Sequence, residues 1–111
     1  MAKARNRTAA VPSSGNVFAD LGVPGAEEKQ TKVRLAVAIN HIIDDKGLSQ
    51  AMAAELLEIN QPKVSALANY RLDGFSAERL MHFLNALGRD VEIVIRKARS
   101  RKAARIHVSA A

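Results

Sequence analysis

From residue 26 onward, apolar residues recur at three- and four-residue intervals, the period of a helix with one buried face. Leu35, Ile39 and Ile42, with Val33, Ala36 and Ile43 alongside, form one apolar stripe and predict a helix over residues 26–46. Glu27 and Glu28 fall in its first turn, where the helix dipole favours acids, and Gly47 supplies its stop. Ser49 caps a second, shorter helix over 50–57, whose core candidates are Ala53, Leu56 and Leu57. Ala54 is small enough to let another helix approach. Glu58-Ile59-Asn60 makes a tight turn with Ile59 inward. A third helix over about 61–69 follows, capped by Asn60, with Pro62 in its first turn and Val64 and Leu67 facing the core. After a loop through Asp73-Gly74, Ser76 caps a fourth helix over 77–87, with Leu80, Met81, Leu84 and Leu87 inward and Gly88 at its end. The period then changes. Val91-Glu92-Ile93-Val94-Ile95 reads as a strand and Ile106-His107-Val108 as a shorter one, so a hairpin is one arrangement.

The flanks divide the 111 residues into three parts. Residues 1–15 are small, polar and basic and read as a flexible arm; residues 16–95 are the domain; residues 96–111 are a basic extension holding the short strand at 106–108. Within 16–25, Val17, Phe18, Leu21 and Val23 are able to pack, on their own domain, on a second copy or on a partner. Aromatics make up only 4% of the chain and Trp is absent, so aliphatic residues must fill the core, which suits packed helices. An apolar strand such as 91–95 needs a partner, and in a small helical domain the economical partner is the same strand of a second copy. Val91, Ile93, Val94 and Ile95 are therefore the expected dimer contacts.

The net charge of +6 points to a polyanionic partner, but it is unevenly placed. Lys3, Arg5 and Arg7 lie in the arm, and Arg96, Lys97, Arg99, Arg101, Lys102 and Arg105 in the extension, while residues 16–95 hold 8 bases against 11 acids. The body of the domain is mildly acidic, so any binding face on it must be a local patch. The extension can serve phosphate contact, a protein partner or solubility. No cysteine is present, which excludes disulfides, thiol catalysis and thiolate zinc sites. No apolar run reaches membrane-spanning length and no export signal precedes the domain, so a cytoplasmic protein without a membrane role is expected.

The chemistry concentrates in the second and third helices. A short helix braced by a companion, with amide, hydroxyl and cationic side chains outward, has what reading a DNA major groove requires. Gln61 and Asn69 suit adenine, Lys63 guanine or a phosphate, and Ser65 a base or the backbone. Gln50 is placed to meet a phosphate and brace Gln61, and Ser49 with its neighbouring amides offers another phosphate contact. Tyr70 and Arg71 suit the backbone beyond the third helix. The competing reading of these polar side chains is a solvated helix face.

Residues 48–69 resemble the helix-turn-helix of the lambda-repressor/Cro (XRE) superfamily. Over about 16–108, the segments NVFADLGVPGAEE, LSQAMAAELLEINQPKVSAL, FSAERLMHFLNALGRDVEIVI and RIHV are similar to the small XRE proteins known as HigA-like antitoxins. The resemblance implies a mainly α, lambda-repressor-like domain of four or five helices with a short C-terminal β element. It implies a homodimeric repressor of a palindromic operator in double-stranded DNA, often encoded beside a RelE/HigB-like ribonuclease toxin whose antitoxin it is. In the superfamily the residues matching Gln50, Gln61, Pro62 and Ala66 lie at the DNA. Because Pro62 offers no side-chain hydrogen bond, specificity would lean on Gln61, Lys63 and Ser65. The superfamily usually has Gly where this chain has Glu58, at a place where a left-handed conformation is common; either Glu58 bears that conformation, at a cost of roughly 1 kcal/mol, or the turn differs slightly. Two alternatives stay open: a protein-interaction antitoxin that chiefly sequesters a toxin, and a solitary regulator without one.

His41, His82 and His107 lie on different elements, which argues against a metal site; the first two are expected at the edge of the core. Asp44-Asp45 reads as a solvated helix end, because neighbouring helical residues diverge. No catalytic triad or phosphate-loop pattern is present, and neither an enzyme nor a cofactor is expected.

Overall fold

The computed structural model describes residues 26–98 and 105–110. Its elements are α1 (Ala26–Lys46), α2 (Gln50–Leu57), α3 (Gln61–Ala68) and α4 (Ala77–Ala86). The residues divide into two compact units, one running Lys32–Glu92 and the other including residues 26–31, 93–98 and 105–108. The expectations for the arm 1–15, for the apolar residues of 16–25, and for Arg99, Arg101 and Lys102 lie outside the described residues.

The Lys32–Glu92 unit holds the helical core. From α1 come Leu35, Ala36, Ile39 and Ile42; from α2 Ala53, Ala54 and Leu57; from α3 Val64 and Leu67; from α4 Leu80, Phe83 and Leu84; and Leu87 closes it. Ala53 and Ala54 let α3 come close, so Val64 packs on them with Ile43 and Ile59 at the margin. The segment between α3 and α4 is more than a connector, because Leu72 and Phe75 are buried too. The Phe75 and Phe83 rings meet edge to face, 5.8 Å between centroids at 78°, a geometry worth about 0.5–1.5 kcal/mol beyond burial.

Each helix start after α1 follows from a single side chain. Ser49, Asn60 and Ser76 accept hydrogen bonds from the backbone N–H of Met52 (3.1 Å), Lys63 (2.9 Å) and Arg79 (3.0 Å), and such a cap is worth about 1 kcal/mol. The ends share one device. At Gly47, Glu58, Tyr70 and Gly88 the chain turns left-handed, with φ of 65°, 59°, 60° and 88°. The residue after each donates its N–H five residues back, as Ile59 to Ala54 O (3.0 Å) and Arg71 to Ala66 O (2.8 Å). These are Schellman closures, which satisfy the last carbonyls of each helix. Two use glycine, as their residues predict; the two flanking α3 use Glu58 and Tyr70 instead.

Several expectations need correction. Leu56 is 43% exposed, because the buried side of α2 is narrow and centres on Ala53, Ala54 and Leu57. Val33 likewise lies outside the stripe of α1. His41 and His82 are not at the core edge: each faces solvent beside a carboxylate one turn away, Asp45 at 3.3 Å and Glu78 at 3.7 Å. No strand forms among the described residues, and neither 91–95 nor 106–108 enters a ladder within the chain. Ile93 and Ile95 are 73% and 92% exposed. The Ile106 N–H, which a hairpin would use, donates instead to the Glu27 carboxylate at 2.8 Å. A lone strand has no stability in water without a neighbour, and the described residues of one copy supply none.

Candidate nucleic-acid interface

Helix α3 is the centre of the candidate site. Val64 and Leu67 bury one side of it. At about 100° per residue the opposite side carries Pro62, Ser65, Ala66 and Asn69. Gln61 and Lys63 fall on its two flanks, about 200° apart around the axis. Gln61, Pro62, Lys63 and Asn69 are exposed, and Ser65 and Ala66 half-buried. Gln61, Ser65 and Asn69, spaced by four, form one row, and small Ala66 leaves room for close approach of a partner.

The row is not wholly free. Asn69 donates through Nδ2 to Ser65 O at 2.9 Å, so one amide hydrogen is committed and its carbonyl oxygen stays available. The Lys63 ammonium sits 5.5 Å from the centroid of the Phe75 ring. This cation–π contact draws Lys63 toward the loop before α4 and away from Gln61. Gln50 and Gln61 are both exposed with no hydrogen bond between them among the described residues, so the expected brace is not made. The Ser49 hydroxyl already accepts from Met52 N and keeps its own hydrogen to donate. Tyr70 and Arg71 are exposed at the closing turn, with Tyr70 left-handed.

One positioning residue was missed in the sequence. Asn40 of α1 donates through Nδ2 to Leu67 O at 3.1 Å and so ties the end of α3 to the long helix. Its only signal was an amide at the helical spacing of Ala36 and Ile43, on the apolar side of the helix. Phe75 was missed as a core residue because it follows a turn and belongs to no periodic run.

The electrostatics favour an anion at α3. Residues 61–71 carry Lys63 and Arg71 and no acid, whereas Glu55 and Glu58 lie just before them. No group of three metal-binding side chains gathers among the described residues, and no helix among them is long and apolar enough to cross a membrane.

A family model described as a helix-turn-helix domain matches residues 17–96. A solved chain named as an XRE family transcriptional regulator is 70% identical, matching 79% of this chain and all of its own length with a TM-score of 0.76. The chain belongs to the XRE-type helix-turn-helix family. In this family member α2 and α3 are the helix pair, and Glu58 occupies the turn between them. No curated protein matches the chain.

Proposed function

We propose that this protein is a sequence-specific DNA-binding transcriptional regulator, a repressor that acts as a homodimer on a palindromic operator. The observation that carries this reading is α3 itself: an acid-free row of exposed Gln61 and Asn69 with half-buried Ser65 between them, flanked by Lys63 and Arg71 and held by α2 and Asn40. The row reads base edges, while Ser49, Gln50, Tyr70 and Arg71 position it on the phosphates. The name of the 70%-identical solved chain agrees with this role.

Dimerisation through Val91, Ile93, Val94 and Ile95 gives the exposed apolar segment a partner strand, and sets two α3 helices about 34 Å apart, one turn of DNA. Ile93→Asp with Ile95→Asp should turn a dimer into a monomer in sedimentation. A finer reading, an antitoxin that autoregulates its operon and neutralises a RelE/HigB-like toxin, rests on the likeness of residues 16–108 to HigA-like proteins. Co-purification with the neighbouring gene's product tests it.

The deciding experiment is a mobility shift of the full chain with its own upstream DNA. Gln61→Ala should weaken binding tenfold or more with the melting curve unchanged, and binding should fall steeply with salt. Operator binding indifferent to Gln61, Ser65 and Asn69 would sink the proposal.

A further inference from the structure

The outer face of α2 has a chemistry that DNA recognition does not use. Met52 and Leu56 lie on one side of the helix and Leu48 just before its cap, and with Glu55 and Glu58 they line a shallow, open groove of about 430 Å³. Met52 is 53% exposed and Leu56 43% exposed. Glu55 and Glu58 have no ion-pair partner among the described residues. From residue 47 to residue 62 they are the only charged residues. The groove therefore has an apolar floor and an uncompensated charge of −2.

We infer that this groove docks a basic segment of a partner protein, which places an aliphatic side chain among Leu48, Met52 and Leu56 and its flanking arginines or lysines on Glu55 and Glu58. The charge decides between occupants. Nucleic acid and an anionic membrane carry the same sign as the groove and are repelled. A second copy docked through the same face would bring four carboxylates and no cation of the patch into one contact, because a two-fold contact repeats one patch on both sides. A cationic peptide that also carries an apolar anchor satisfies both halves of the groove, and arginine pairs with a carboxylate through two parallel hydrogen bonds. Glu58, the left-handed residue that closes α2, lines the groove where the helix ends.

The test uses the full chain, isotopically labelled, titrated with a twelve-residue peptide that repeats leucine at every fourth position among arginines. Two controls replace leucine by serine or arginine by glutamate. The amide signals of Leu48, Met52, Glu55, Leu56 and Glu58 should shift with the leucine–arginine peptide, and both controls should bind at least tenfold more weakly. The double variant Glu55→Gln, Glu58→Gly should lose tenfold or more in affinity with its spectrum otherwise intact, because glycine suits the left-handed position at residue 58. Met52→Ser should lose binding with both carboxylates in place. The inference is overturned if no shifts occur, if they centre on Asp44 and Asp45 instead, or if the serine peptide binds as well. It is also overturned if Met52→Asp changes the oligomeric state of the protein alone, which would make the face a contact between copies. None of these readouts depends on DNA, so the failure of one proposal leaves the other standing.

Discussion

Helices α2 and α3 are built alike and face the solvent differently. Each has eight residues, each starts on a side-chain cap, Ser49 or Asn60, and each ends on a non-glycine left-handed residue, Glu58 or Tyr70. Each buries a narrow side against the same core. Outward, α3 presents amides, a hydroxyl and flanking cations without an acid, whereas α2 presents the apolar Met52 and Leu56 beside two carboxylates, Glu55 and Glu58. One backbone device therefore carries two surfaces of opposite character. The backbone and the buried side set where each helix lies, and the exposed side chains set what it can meet.

The largest expected effect breaks both surfaces together. Leu67 is fully buried in the core that the two helices share, so Leu67→Ala should cost about 2–5 kcal/mol in a denaturant melt, and DNA binding should go with it. Next come changes that separate the surfaces. Gln61→Ala should cost about 1–3 kcal/mol of operator affinity, whereas Met52→Ala should leave a mobility shift as it was; equal losses from the two would erase the distinction. A smaller effect is expected at Asn40. Removing its bond to Leu67 O should cost about 1 kcal/mol of stability and weaken DNA binding beyond what the melt explains, because the end of α3 loses its tie. The smallest effects should be gains. Glu58→Gly and Tyr70→Gly each relieve a left-handed non-glycine residue and should raise stability by about 0.5–1 kcal/mol. They should then diverge: the first leaves operator affinity unchanged, and the second lowers it through a lost backbone contact. Matching DNA affinities in both would remove Tyr70 from the interface.

Much of this was legible in the residues. The helix bounds followed from Leu35, Ile39 and Ile42, from the caps Ser49, Asn60 and Ser76, and from Gly47 and Gly88, because periodicity and capping are local and act within one or two turns. The glycine that the XRE superfamily usually places at residue 58 left two outcomes, a strained Glu58 or a different turn, and Glu58 takes the αL conformation, φ 59°. Leu56 was misplaced because an amphipathic pattern of eight residues gives too few apolar positions to define a direction. Phe75, Leu72 and Phe83 entered the core unannounced, since a loop has no period and the fourth helix offered more apolar residues than its face could bury.

By itself the sequence determined four helices, three of them started by a side-chain cap, the turn between the second and third, the outward polar residues of α3, and a body less basic than its ends. Tertiary structure decided the rest. It tied α3 to α1 through Asn40, drew Lys63 onto Phe75 and away from Gln61, left Leu48, Met52 and Leu56 along a groove, and gave the Ile106 N–H to Glu27 in place of a strand. The division has one physical cause. Caps, turns and periodicity are interactions between near neighbours in the chain, whereas a side chain's partner and the direction of a short helix depend on residues dozens of positions away, brought together only when the core closes.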